Sequence, residues 1–239
     1  MSEVHKLYEH ISRELLENFL FQVQSTPTEF NRFLNAGVEE YSESAIKYVF
    51  TCPSREKAQA LKARIAEEVP EDGTEIVEED DEIFLEGTSV DVEFDLESIL
   101  ELVGCFCGMG AYEDCRFEAW VVDGCDMAAD FTFESHDAEI EFTEKTIAIH
   151  LPEAIEPLEC ADKYLVPIES RLQATGLGTL TGGAPRLAIE DADVEITGVS
   201  IFLESEKRSE AVAMLRKELP KLGAPADTTI KTQDEEVAL

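Results

Sequence analysis

The order of strand and helix patterns along the second half of the chain is the feature that most restricts its fold. The patterns predict, in chain order, a strand at Thr146–Leu151, a helix at Ala161–Thr175, a strand pair at Leu187–Ile189 and Val194–Leu203, a helix at Ser209–Leu222 and a strand at Asp227–Thr232. Gly176 suits a left-handed C-cap for the first of these helices. The resulting order, β-α-β-β-α-β, predicts a split βαβ unit of the ferredoxin-like type.

The first half approximates the same order. Its predicted elements are a strand at Ala45–Cys52, a helix opened by Pro53 and Ser54, short strands on either side of the acidic turn Glu78–Glu82, an alternating strand at Ser89–Leu96, a helix at Ser98–Phe106 and strands at Phe117–Val122 and Asp130–Glu134. Apolar spacing near the N-terminus predicts two further helices, the second beginning at Pro27. We therefore expect an α+β protein with two ferredoxin-like (βαββαβ) halves, the first preceded by two helices. The domains expected are residues 1–136 and 137–239.

Acidic residues are concentrated in one segment. Between Ile65 and Glu144 there are 27 carboxylates and a single basic residue, Arg116, so this segment carries −26 of the net charge of −34. Hydrophobic residues make up 44% of the chain, which is typical of a globular protein rather than a disordered one. A folded surface this negative repels nucleic acid and anionic membranes and attracts cationic partners.

The expected location is the cytoplasm. No apolar run approaches the roughly 20 residues that span a bilayer, and the N-terminus lacks the basic and then apolar order of a signal peptide. The six cysteines are therefore expected as reduced thiols.

A row of carboxylates in the predicted strand at Ser89–Leu96 is the first candidate site. The alternation with valine, phenylalanine and leucine places these acids on one solvent-facing side. Together with the acidic turn and the single tryptophan, as a possible apolar anchor, the predicted partner-binding residues are Glu79, Asp80, Asp81, Asp91, Glu93, Asp95 and Trp120. For Trp120 a place in the core is the favoured interpretation, and an exposed anchor is the alternative. A solvated sheet face without a partner is the alternative interpretation. Adaptation to high internal salt is another, although we expect it to favour Asp, and here Glu outnumbers Asp by 38 to 15.

Four cysteines form the second candidate site, with the spacing C-x-C-x7-C-x9-C. They are Cys105, Cys107, Cys115 and Cys125. Zinc sites usually use C-x2-C pairs, whereas a C-x-C pair on a helix directs its thiols apart. Buried free thiols are the favoured interpretation, also for Cys52 and Cys160. A metal-binding protein or enzyme built on the four cysteines is the alternative function.

Other motifs carry little chemistry. The segment Gly176–Gly183 lacks the G-K-[ST] ending of a phosphate-binding loop and is predicted as a flexible turn between a helix and a strand. His150 lies in an apolar strand, where we expect a hydrogen-bonded structural histidine. No sequence motif indicates a cofactor, and no serine lies in a G-x-S-x-G elbow.

Three segments carry a resemblance to a known family. They are Y-V-F-T-C-P-S-R-E-K-A-Q-A-L from Tyr48, the acidic middle E-I-V-E-E-D-D-E-I-F-L from Glu75, and F-E-A-W-V-V-D-G from Phe117. Over residues 48–126 the chain resembles the B-type regulator of ribonuclease E activity. The resemblance implies a ferredoxin-like fold and inhibition of a nuclease by binding, without catalysis. The second half resembles small bacterial immunity-type proteins more weakly, in its G-T-L-T-G-G and L-G-A-P segments.

The sequence thus leads to one principal hypothesis. We expect a non-enzymatic acidic binding or inhibitor protein that docks a cationic protein surface, such as a nuclease or a toxin. Nucleic acid and membranes are not expected as partners, and the oligomeric state is left open. A domain whose charge serves solubility alone is the remaining alternative.

Overall fold

The computed structural model describes residues 12–69, 73–79, 81–125, 132–133, 142–190 and 193–239. The fold is mixed α+β with two sheets. The chain divides into two compact units, Met1–Ala129 and Asp130–Leu239. The predicted boundary at 136/137 lies outside the described residues. In the described ranges, no helix is both long and apolar enough to cross a membrane.

The first unit contains a four-stranded antiparallel sheet. Its elements are α1 (Arg13–Asn35), β1 (Glu43–Cys52), α2 (Arg55–Glu68), β2 (Glu75–Glu79), β3 (Glu82–Glu93), α3 (Leu96–Tyr112) and β4 (Arg116–Val122). The strand order is β2-β3-β1-β4, and every neighbouring pair is antiparallel. From β1 to β4 the order of elements is β-α-β-β-α-β, which is consistent with ferredoxin-like folds. The short strand predicted after the acidic turn and the strand predicted at Ser89–Leu96 are one continuous strand, β3.

The core of this unit lies between the sheet and its helices. Alternate residues of β1, from Ile46 to Cys52, are buried, as the period of two predicts. Tyr48 and Phe50 contact Phe106 of α3, with ring centroids 4.5 and 5.8 Å apart. The inward face of α2 is formed by Ala58, Leu61 and Ile65, which are all fully buried.

A single helix precedes β1 in the described residues, so the prediction of a new helix at Pro27 is wrong. Proline at this position removes one backbone hydrogen bond from the interior of α1. The helix nevertheless continues, because both of its halves are held by packing and by side-chain bonds. Phe21 and Phe33 are buried on either side of the proline. The amide of Gln22 donates to two carbonyls of β4, at 3.2 and 3.0 Å.

The second unit contains a six-stranded sheet in the order β10-β9-β6-β8-β7-β5. Its elements are β5 (Thr132–Phe133), β6 (Thr146–Leu151), α4 (Pro157–Cys160), a π-helical turn (Ala161–Leu165), α5 (Val166–Thr175), β7 (Thr179–Glu190), β8 (Asp193–Glu204), α6 (Arg208–Glu218), β9 (Thr229–Thr232) and β10 (Glu236–Ala238). The pairs among β6 to β10 are antiparallel, and β5 pairs with β7 in parallel. Of the described strands, β10 is one that the sequence patterns did not predict.

The glycine segment is largely strand, which corrects the prediction of a flexible turn. Gly176 ends α5 in the left-handed conformation, as predicted, but β7 already begins at Thr179. A Cβ atom on Gly183 would lie 2.6 Å from the Ser200 carbonyl oxygen, and one on Gly178 would lie 2.1 Å from the Glu204 carbonyl oxygen. The glycines therefore allow two backbones to approach closely.

Candidate functional site

The β2–β3 hairpin presents a group of five exposed carboxylates. Glu75 lies opposite Glu86 and Glu79 lies opposite Glu82, so two like-charged pairs face each other across the strands. Asp81 is in the turn, with a left-handed φ of 70°. All five side chains are exposed. They are called the hairpin acids below.

The strand period decides which carboxylates of the hairpin reach solvent. Residues 75, 77 and 79 of β2 share one side with residues 82, 84 and 86 of β3, and Val77 lies opposite Phe84 between the two acidic pairs. The other side of the hairpin faces the core through Leu85, which is fully buried. The hairpin therefore presents a half-buried apolar pair bordered by like charges.

Basic side chains of this unit form ion pairs elsewhere. Arg55 pairs with Glu78 on the other side of the hairpin. Other ion pairs among the described residues of this unit join Lys47 to Asp123 at 2.7 Å, Lys57 to Asp114 at 3.0 Å, Arg64 to Glu113 at 2.8 Å, and Arg116 to Glu14 and Glu118 at 2.9 and 2.7 Å. Within the described part of the chain, none of the hairpin acids forms an ion pair with a cation.

The second group of predicted acids lies at the other end of β3. Glu82 and Glu93 are the two ends of this strand, and at ~3.3 Å per residue they are about 36 Å apart. Glu79 and Asp81 thus belong to one end and Asp91, Glu93 and Asp95 to the other, so the predicted residues do not form one surface. Asp80 lies outside the described residues.

The predicted row of three carboxylates is also broken within its own group. Asp91 has a left-handed φ of 57° at a β-bulge, where the register with β1 shifts. Glu93 is exposed on the strand, opposite Glu43. Asp95 follows the strand and caps α3, because its Oδ1 accepts from the backbone N–H groups of Glu97 and Ser98 at 3.0 and 3.1 Å. Hydrogen bonds from Ser98 and Glu97 lower the pKa of Asp95.

Trp120 is a core residue, which corrects its assignment as an apolar anchor for a partner. It is only 1% exposed, and its ring lies 5.2 Å from the ring of Phe33, between centroids. The register of β4 explains this, since a bulge between Phe117 and Ala119 brings Trp120 and Val122 to the buried side together with Phe117. Its surroundings leave no surface for a partner to reach the indole.

A buried carboxyl beside Trp120 is a residue that sequence reasoning missed. Glu29 of α1 is 7% exposed, and burial raises its pKa to about 8. The positive charge of Arg32 and the indole N–H of Trp120 act in the opposite direction without outweighing burial. Among the described residues, Glu29 Oε2 and Trp120 Nε1 are buried polar atoms without a hydrogen-bond partner. The only signal in the sequence was a glutamate beside the apolar stripe of Phe30 and Phe33.

The four cysteines of the second candidate site do not converge. Cys105 is exposed and Cys107 is buried, so the C-x-C pair on α3 directs its thiols apart as expected. Cys115 is buried before β4, and Cys125 is partly buried beyond it. Among the described residues, no three His, Cys, Asp or Glu side chains are grouped so as to hold a metal ion.

Polar side chains in the second unit serve its structure. His150 lies directly opposite Ser200, and its Nδ1 is 2.9 Å from the serine Oγ, which confirms the expected structural histidine. At the π-helical turn, Lys163 Nζ and Tyr164 Oη donate to the two oxygens of Glu153, at 2.6 and 2.5 Å. Burial alone would raise the pKa of Glu153, but these two bonds outweigh it and lower the pKa.

Comparisons with known proteins do not supply a function. No family model matches the chain, and no curated protein matches it. Among solved structures, the chain is similar to an unknown protein from Galdieria sulphuraria, with 8% identity over 83% of this chain and 99% of that one and a TM-score of 0.26. A protein from Bacteroides thetaiotaomicron shows 10% identity over 74% and 88% of the two chains, with a TM-score of 0.20. An aspartate kinase from Synechocystis shows 11% identity over 80% and 44%, with a TM-score of 0.25. Likenesses at these TM-scores decide nothing about function.

Proposed function

We propose that this protein is a non-enzymatic, cytoplasmic binding protein with two ferredoxin-like halves, and that its hairpin acids dock a cationic surface of another protein. The observation that carries the proposal is the exposed hairpin, on which two like-charged pairs oppose each other and no described cation pairs with them. A surface of this kind is stabilised when a positive partner approaches.

The energetics favour a partner over solubility alone. Like charges directly opposite on neighbouring strands are destabilising, each pair by roughly 0.2–1 kcal/mol relative to neutral side chains. Two such pairs on one short hairpin therefore oppose folding of the hairpin itself. Charge that serves only solubility does not require acids directly opposite each other. Lysine or arginine side chains of a partner, placed against these acids, would replace the repulsion by attraction.

Steering is the main contribution expected from this surface. A field of one sign raises the association rate of an oppositely charged partner by roughly 10- to 1000-fold, and the gain decreases as salt is added. Charges farther apart than about 8 Å are largely screened at physiological ionic strength. The two acids of each opposed pair are close enough to act together, and the pairs are about 13 Å apart along the strands, four residues at ~3.3 Å each, whereas Asp91 and Glu93 at the other end of β3 are farther still.

The partner proposed is a nuclease or a toxin with a basic nucleic-acid channel. Such a channel presents rows of lysine and arginine that contact phosphates. An acidic hairpin placed in the channel would occupy those cations and block the substrate. The resemblance of residues 48–126 to a family of nuclease inhibitors is in keeping with this partner.

The experiment compares two variants, each of which replaces two glutamates by lysines, so that both have the same net charge. Proteins retained by the wild-type chain from native lysate at low salt are identified and purified, and their association rates are measured. We expect the variant Glu79→Lys with Glu82→Lys to associate at least about 10-fold more slowly, with a weaker dependence on salt. The control, Glu67→Lys with Glu101→Lys, changes exposed residues of α2 and α3.

Two outcomes overturn the proposal. Equal slowing of both variants means that total charge, and not the hairpin, guides the partner. Retention of the same proteins in the same amounts by wild type and by the hairpin variant means that the hairpin is not a docking surface.

A further inference from the structure

Two buried thiols face each other at the end of the first sheet. Thr51 of β1 is paired with Arg116 of β4, so the next position places Cys52 opposite Cys115. They are 4% and 1% exposed, and both are free cysteines. Residues directly opposite in an antiparallel pair have Cα atoms about 4.5–5.5 Å apart, and disulfides require about 4.4–6.8 Å. Continuing the register of the two strands by one residue gives the cysteines a Cα separation in this range, and their thiols are neighbours.

The surroundings of the two thiols differ. Contact with the Cys115 side chain lowers the pKa of Cys52, although burial acts in the opposite direction, and the Cys115 thiol itself donates to the Glu113 carbonyl oxygen at 3.5 Å. The same contact with Cys52 is the largest cause that raises the pKa of Cys115, and burial adds to it. Cys52 also lies two residues before Ser54, the N-cap of α2, where the positive end of the helix favours a thiolate. The position of Cys52 beside the N-terminus of α2 assigns it the role of the attacking sulfur, and Cys115 that of the resolving sulfur.

We infer that Cys52 and Cys115 are a redox pair that forms a reversible cross-strand disulfide with hydrogen peroxide as the oxidant. The Cys52 sulfur attacks one peroxide oxygen, the O–O bond breaks, and the released hydroxide takes the thiol proton as water, which leaves a sulfenic acid on Cys52. The Cys115 sulfur then attacks the Cys52 sulfur, the S–O bond breaks, and a second water leaves with the Cys115 proton. Two thiols are oxidised by two electrons, and one peroxide is reduced to two waters.

The disulfide would join the centre of the sheet to its edge. It links β1 to β4 and closes the loop that contains α2, the β2–β3 hairpin and α3. Closing so long a loop restricts the unfolded chain, so the oxidised protein is expected to resist unfolding more than the reduced one. The inference is independent of the proposed partner, because it concerns only the thiols and the strands that carry them.

The test uses the full chain, reduced and then treated with hydrogen peroxide. We expect a mass lower by two hydrogen atoms, a peptide that joins Cys52 to Cys115, and four titratable thiols in denaturant where the reduced chain has six. A thiol reductant should restore all six and return the denaturant midpoint to its reduced value.

Matched serine variants separate this pair from the other cysteines. Cys52→Ser and Cys115→Ser should each abolish the linked peptide, whereas Cys105→Ser, on an exposed thiol, should retain it. If a variant fails to fold, the peptide map of the oxidised wild-type chain alone shows whether Cys52 is linked to Cys115. Peroxide treatment that leaves Cys52 and Cys115 unlinked, or that links either one to Cys105, overturns the inference.

Discussion

Glu29 should make the protein less stable as the pH rises through the neutral range. Its carboxyl is buried in α1, and its pKa is raised from 4.5 to about 8. Below pH 4.5 the group is protonated in both the folded and the unfolded chain, so it has no effect on their difference. Above pH 8 it is charged in both states, and the folded state then carries the full penalty of a buried charge. The folded state binds more protons between these limits, so stability falls as the pH increases.

The size of the effect follows from the two pKa values. Each pH unit between them corresponds to about 1.4 kcal/mol, which gives a penalty of about 1 kcal/mol at pH 5, about 3 kcal/mol at pH 7 and about 4 kcal/mol at pH 8. A typical domain is stable by about 5–15 kcal/mol, so one carboxyl would remove a substantial share of the stability at neutral pH. Replacing Glu29 with glutamine keeps the shape and removes the charge.

Urea unfolding of wild type and Glu29→Gln at pH 5, 6, 7 and 8 measures the difference. We expect the two proteins to differ by about 1 kcal/mol or less at pH 5, and the variant to be more stable by about 3 kcal/mol at pH 7. Changing exposed Glu101 of α3 to glutamine controls for the loss of one charge. An advantage of Glu29→Gln that stays constant from pH 5 to pH 8 would refute the reasoning, because it would show that burial does not hold the proton on Glu29.

Three further changes test the local structure. Asp95→Ala should remove the cap of α3 and lower the free energy of unfolding, measured in urea at pH 7, by about 1 kcal/mol. The loss should become smaller as the pH falls through the lowered pKa of Asp95, because a protonated cap is a weaker acceptor. Gly178→Ala should lower the melting temperature measured by circular dichroism, because its Cβ would lie 2.1 Å from the Glu204 carbonyl oxygen at a φ of 142°. Gln22→Ala should leave one carbonyl of β4 without its donor, cost about 1–3 kcal/mol, and speed hydrogen exchange in β4. Unchanged stability in any of the three would show that the corresponding contact is not formed.

Periodic segments were predicted well because burial imposes their pattern directly. β1, α2, β4, β6 and the helix end at Gly176 all follow from apolar spacing or from a residue with one strong conformational preference. The two errors arose where tertiary packing overrode a local signal. Pro27 is retained within α1 because Phe21 and Phe33 anchor the helix on both sides. The glycines of β7 are held in a strand because the backbone of β8 lies against them.

The sequence predicted that acidic residues form the candidate site, but it did not predict how these residues are arranged. The sequence indicated that acids line the β2–β3 turn and β3, and the structure places them there. It did not indicate that the strand length separates Glu79 from Glu93, that a bulge turns Asp91, or that Asp95 belongs to a helix cap. Glu75, Glu82 and Glu86 were missed because their opposition depends on the register of the hairpin.

Composition and the period of apolar residues are enough to predict the α+β class, most of the strands and helices and the strong negative charge. The tertiary structure decided which acids share a surface, that Trp120 and Glu29 are buried together, and that Cys52 meets Cys115. These facts depend on strand register and on contacts between segments distant in the chain. No local pattern encodes such contacts, because they form only when the sheet brings the segments together.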